Sequence, residues 1–256
     1  MQEKKVKIKI RGLCKSFGSK RVLENLDLDI YDEESLVIIG GSGSGKSVLV
    51  KCIIGLIRPE KGEIFINDVD VLKLGDEERV AFMDNFGLLF QAGALFDSLP
   101  VWENVAFGLI HRYKMSKKEA RKISQEKLRS VGLGRDILDA FPSDLSGGMQ
   151  KRVALARAIA TGPEILFFDE PTAGLDPIMC HIIDELIKKS VKELGAVGVS
   201  ITHDLESARR IADRIAMIYD GRIVWQGSPE EMNQSENPYV YQFIRGLQKG
   251  PIPVIV

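Results

Sequence analysis

The sequence predicts an α/β fold with a largely parallel sheet, on three observations. Two short runs, 36–39 and 165–168, are wholly apolar and give way at once to glycines or acids. Strands buried on both faces read this way. Strand-like and helix-like patterns alternate along most of the chain, as in βα repeats. Between them, 101–110, 117–131 and 147–160 carry three helical patterns in a row, which marks an inserted helical subdomain.

The elements follow in order. Val6, Ile8 and Ile10 alternate with Lys7, Lys9 and Arg11, and Leu26, Leu28 and Ile30 repeat the pattern. Such alternation marks half-buried strands, so an N-terminal antiparallel β part is expected. After the buried run 36–39, a helix is expected over 46–57, stopped by Pro59 and Gly62. Residues 62–69 read as a strand and 86–90 as a further buried one. In the insert, Ser116 and Glu119 have capping-box spacing, and Gly132 suits a helix stop. Strands return at 165–168 and 197–201 with a helix between, and 214–225 reads as a hairpin turning at Asp220-Gly221. The expected organisation is a discontinuous core, 1–91 with 161–227, a helical subdomain at 92–160, and a tail at 228–256.

Composition narrows the function. The 256 residues suffice for one large domain with its own core. Lys and Arg total 35 against 36 Asp and Glu, so there is no broad basic face and no nucleic-acid partner is expected. Cys14, Cys52 and Cys180 form no CxxC pair, which suggests buried thiols in a reducing compartment rather than a zinc site or disulfides. Residues 1–10 have no apolar core of a signal peptide, and the apolar runs are far short of a membrane span. The chain is expected in the cytoplasm, with any membrane role through a partner.

The segment Gly40-Gly41-Ser42-Gly43-Ser44-Gly45-Lys46-Ser47 fits G-x-x-x-x-G-K-[ST] and lies between a buried strand and a helix. The glycines let backbone N–H groups wrap a phosphate, and the helix points its positive end at the same group. Lys46 suits the β- and γ-phosphates, and the Ser47 hydroxyl suits Mg²⁺. A glycine-rich turn with a chance Lys-Ser is the bland alternative. At the end of 165–168 stand Asp169 and Glu170: the first is a candidate Mg²⁺ ligand, the second a candidate general base for an attacking water. Taken alone, that pair could be a solvated strand end. Together the two motifs imply a P-loop NTPase core that binds a nucleotide with Mg²⁺.

Leu145-Ser146-Gly147-Gly148-Met149-Gln150 then resembles the signature of the ABC ATPases, with Ser146 a plausible N-cap. Other landmarks resemble that family in its own order. Phe17 stands where an aromatic stacks on adenine, and Gln91 where a glutamine senses Mg²⁺ and the γ-phosphate. Gly174, Leu175 and Asp176 match a loop at the dimer seam, and His203 matches the switch histidine at the γ-phosphate. The resemblance implies catalytic roles for Glu170, His203 and Lys46. It also implies a head-to-tail homodimer in which the signature acts on the partner's ATP, and an integral-membrane permease to be driven. Four positions depart from the pattern: Val48 for Ser or Thr, Phe17 for the commoner Tyr, and Ala173-Gly174 for Ser-Ala.

Two stretches are more specific. Residues 90–99 and 237–253 resemble the ATPases of the Mla lipid-transport systems, which work with a permease and an MCE-domain protein. That resemblance implies phospholipid transport between membranes, from the cytoplasmic face of the inner membrane. The alternatives are the ATPase of a polar-solute importer, for example of amino acids, and an ABC ATPase acting on DNA or ribosomes. The tail's Tyr239, Phe243 and Ile244 could cover either the chain's own core or a dimer partner.

Overall fold

A computed structural model describes residues 5–253. In chain order the elements are β1 (Val6–Phe17), β2 (Lys20–Tyr31), β3 (Ser35–Ile39), α1 (Lys46–Ile53), β4 (Lys61–Ile66), β5 (Val69–Asp70), α2 (Asp76–Phe82), β6 (Phe86–Leu89), α3 (Val101–His111) and α4 (Lys117–Ser130). There follow α5 (Gly147–Ala158), β7 (Ile165–Asp169), α6 (Pro177–Leu194), β8 (Val197–Ile201), α7 (Leu205–Ile211), β9 (Arg214–Tyr219), β10 (Arg222–Gly227), α8 (Pro229–Asn233) and α9 (Pro238–Arg245). They form two compact units. One takes the chain up to Met83 and from Val199 onward; the other is Asp84–Gly198.

The first unit carries the expected antiparallel part, four strands in the order β2-β1-β4-β5. Ile8, Ile10, Leu26, Leu28 and Ile30 point inward and are buried, as their alternation demands. β1 and β2 each reach 12 residues, longer than the alternation suggested. Register shifts between Ile10 and Leu13 and between Leu13 and Lys15 let the ladder continue where strict alternation stops. In the same unit β3, buried at all five residues, runs parallel to β9, from Leu36↔Arg214 to Ile39↔Met217. β10 turns back on β9 through Asp220 and Gly221, both at positive φ, as a two-residue hairpin requires. Arg214 anchors this region: its guanidinium grips the nearly closed Glu34 carboxylate at 2.7 and 2.9 Å and lies over the Tyr31 ring.

The tail covers its own unit. α9 buries Val240, and Asn237 Nδ2 donates to Val224 O at 3.1 Å. Gln242, also buried, clasps the segment beyond the helix: Nε2 donates to Leu247 O and Ile252 O, and Oε1 accepts from Ile252 N.

In the second unit β6 and β7 are parallel, from Phe86↔Ile165 to Leu89↔Phe168. Ile165, Leu166, Phe167 and Phe168 are all buried, whereas β6 alternates between half-buried and buried residues. α3, α4 and α5 pack on one another, and α5 also packs on β6 and α6. Ser116 caps α4 by accepting from Glu119 N, and Gly132 follows at φ +74°. α1 ends at Ile53, short of the expected 57, where Gly55 turns the chain at φ +75°. α2, absent from the sequence reading, buries no residue and so leaves no apolar stripe to read.

Candidate functional site

In the first unit, β3 delivers the chain into the loop 40–45 and α1 takes it away. Two of its glycines are sterically required. A Cβ on Gly40 (φ +154°) would lie 2.4 Å from Ile218 O, and one on Gly45 (φ +107°) 2.7 Å from Val22 O. The loop is thus pressed against β9 and β2, with its open side turned away from them. Lys46 Nζ donates to Gly40 O and Gly41 O at 2.7 and 3.0 Å, which curls the loop around its ammonium. α1 has no side-chain cap and no acid in its first turn, so its N–H groups keep their positive end uncompensated. Ser44 Oγ is buried without a hydrogen-bond partner. An orphaned hydroxyl, an uncapped helix start and a cation on one loop fit a phosphate chain. Phe17, 49% exposed at the end of β1, lines a cavity of about 340 Å³ together with Gly43, Gly45, Lys46, Ser47 and Val48. An aromatic face and phosphate-type donors in one cavity suit a nucleotide. His203 lies exposed beyond β8, and Asp204 behind it caps α7.

The second unit holds the other expected residues. Asp169 ends β7, and Glu170 follows at φ +47°, a left-handed conformation that strains a non-glycine residue. Gln91 is exposed, two residues past the end of β6. Ser146 caps α5, accepting from Met149 N at 3.4 Å, and Gly147 and Gly148 open the helix. Gln150 is turned inward: its Nε2 donates to Pro142 O and Leu145 O, which holds the approach to the helix. Asp176 caps α6, accepting from Ile178 N and Met179 N at 3.0 Å, so its carboxylate is occupied by the helix that follows Gly174 and Leu175.

Three residues in this unit escaped the sequence reading. Lys151, on α5, donates to Gln91 O and to Glu170 O, the latter at 3.4 Å. Burial lowers its pKa, and Asp169 and Glu170 work against that. Arg157 donates to Gly93 O and Ala94 O at 2.6 and 2.7 Å, and its burial likewise lowers its pKa. Asn104, fully buried, stitches 96–100 to α3 through Phe96 N, Phe96 O and Leu99 O. α5 buries residues along most of its length, yet Gln150, Lys151, Arg152 and Arg157 break up its apolar pattern, so the sequence carries no stripe that marks Lys151 as the inward lysine.

Comparisons with known proteins point to a family. A family model described as ABC transporter matches residues 23–173. The probable ribonucleotide transport ATP-binding protein mkl of Mycobacterium leprae is 42% identical over 96% of this chain and 71% of its own length. The intermembrane phospholipid transport system ATP-binding protein MlaF of Haemophilus influenzae is 37% identical over 96% of this chain and 92% of its own. The L-cystine import ATP-binding protein TcyN of Bacillus subtilis is 39% identical over 93% of this chain and 92% of its own. Among solved structures, the dimeric ATP-binding cassette MJ0796, in a post-hydrolysis state bound to ADP and Pi, superposes with a TM-score of 0.79 at 35% identity. That likeness covers 87% of this chain and 98% of MJ0796. No helix among the described residues is long and apolar enough to cross a membrane.

Proposed function

The chain belongs to the ABC transporter family as an ATP-hydrolysing subunit, and from that premise we propose that it drives phospholipids between membranes with an integral-membrane permease and an MCE-domain lipid-binding protein. The observation that carries the lipid reading is the match to the Haemophilus influenzae phospholipid-transport protein. It takes in 96% of this chain, too much to leave out the tail. On this reading the chain works at the cytoplasmic face of the inner membrane, held there by the permease.

The proposed chemistry is ATP and water to ADP and phosphate. Phe17 stacks on the base, while the backbone of Gly40, Gly41, Ser42, Gly43, Ser44 and Gly45 and the Lys46 ammonium neutralise the phosphates. Val48 adds only its backbone N–H there. Glu170 takes the proton of the attacking water, and Gln91 and His203 contact the γ-phosphate. Ser47, Asp169 and Gln91 supply the oxygen donors for Mg²⁺, which neutralises charge on the phosphates when bound. A second copy completes the site head to tail, with Gly174, Leu175 and Asp176 at the seam. Ser146 and the N–H groups of Gly147, Gly148 and Met149 act on the partner's ATP. Gln150 serves by holding the loop in front of them, since its amide is engaged there.

A second reading, import of a polar solute, draws on the 39% identity to the cystine importer. Purifying the chain from its membranes with its partners intact separates the two. Co-purification of a permease and an MCE-type protein with enriched phospholipid is the expected result. A solute-binding partner without enriched phospholipid would overturn the lipid assignment in favour of import.

A further inference from the structure

Lys151 is 6% exposed in a helix whose other inward positions are Gly148, Val153, Ala154, Leu155, Ala156 and Ala158. An ammonium is kept in such surroundings only when fixed acceptors replace its water. Its two acceptors here are backbone carbonyls on two different strand exits. The β6–β7 ladder has its last pair at Leu89↔Phe168. Gln91 and Glu170 each lie two residues beyond that pair, where no ladder bond holds the two chains together. The Lys151 ammonium spans this gap from Gln91 O to Glu170 O. It also meets a backbone that is costly to hold, because Glu170 sits at φ +47°. Six residues along the same helix, Arg157 pins the continuation of the Gln91 loop at Gly93 O and Ala94 O.

We propose that Lys151 is a positioning residue for ATP hydrolysis: it fixes the backbone of Glu170 against that of Gln91, so that the carboxylate and the amide are presented at a set spacing. The proposal rests on the reading of Glu170 as the base and Gln91 as a γ-phosphate contact. Because Lys151 touches carbonyls rather than substrate, its loss acts on turnover and spares nucleotide binding.

The test is steady-state ATPase activity of the full chain as wild type, Lys151→Met, Lys151→Arg and Glu170→Gln. Binding of a fluorescent ATP analogue and melting temperature are measured alongside. Lys151→Met keeps the stem and removes the donors, and should lower kcat roughly 10- to 100-fold. The KM for ATP and the analogue's affinity should stay within about threefold. Lys151→Arg, which can still donate to carbonyls, should recover most of the rate. The proposal is overturned if Lys151→Met keeps wild-type kcat, if its kcat and nucleotide affinity fall together, or if folded Lys151→Arg is as slow as Lys151→Met. Should Lys151→Met not fold, Lys151→Leu, which also lacks a donor, takes its place under the same criteria. Glu170→Gln separates the two claims. If it turns over normally, the base assignment fails whatever Lys151 does; if it is inactive while Lys151→Met is unimpaired, only the present proposal fails.

Discussion

Single side chains carry most of the chemistry, and several can be tested alone. Lys46→Ala removes the ammonium around which the phosphate loop curls. Charge-assisted contacts are worth about 1.5–3 kcal/mol, so ATP affinity should fall roughly 10- to 100-fold in equilibrium binding. Glu170→Gln should bind ATP normally and hydrolyse it very slowly; near-normal hydrolysis removes Glu170 from the base's role. Cys52 offers a pH test that does not depend on the reaction. It is fully buried on α1, and burial pushes its thiol up to about 11. In the unfolded chain a thiol ionises near ~8.5. The stability it contributes is therefore complete below that pH and is lost as pH climbs towards 11, on the order of 2 kcal/mol between pH 8 and 10. Urea unfolding at both pH values should show that extra loss in wild type and not in Cys52→Ala. Of the residues named from sequence, the phosphate loop was legible because its glycines are demanded by backbone collisions, such as Gly40 against Ile218 O. Lys151 was not legible, because its partners are carbonyls, which every residue has.

At the level of elements, the buried Asn104 decides the shape of the stretch before α3. It accepts from Phe96 N at 2.7 Å and donates to Phe96 O and Leu99 O at 3.0 and 2.9 Å. The loop it holds presents Phe96 stacked on Phe107, ring centroids 4.5 Å apart. Asn104→Ala leaves Phe96 N and Leu99 O without their partner, while Phe96 O keeps Leu99 N, so it should cost about 2–3 kcal/mol in chemical denaturation. Proteolysis should then cut within 95–100 first; unchanged stability would show that water replaces the amide at no cost. Elements with a clear period were read well. The run 197–201 became β8 to the residue, and 214–225 became a hairpin through Asp220-Gly221, because apolar pattern and turn chemistry agree there. Elements held by other forces were misjudged. β1 and β2 are extended by bulges, which no alternation announces, and α2 lies on the surface with acids in its first turn and nothing buried.

For the whole molecule, the tail is the nearest large-scale test. α9 buries Val240 and Gln242 against its own unit, and Tyr239 lies on Tyr219. Truncation after Ser235 should lower stability by ~2–4 kcal/mol, from lost burial and the lost clasp, and leave nucleotide binding largely intact. If truncated chain unfolds at the wild-type urea midpoint, the tail has no part in the fold. The pairing of β3 with β9 has a further consequence, one of time. The partners Leu36 and Arg214 are 178 residues apart, and all of Asp84–Gly198 is synthesised between them. At roughly 5–20 residues per second, β3 waits on the order of 10–35 s on the ribosome for β9. The inserted unit is complete before the unit that encloses it in sequence. Through that interval β3, buried at all five residues once folded, is without β9, so this protein's dependence on chaperones should be greatest while nascent chains are between about 100 and 215 residues long.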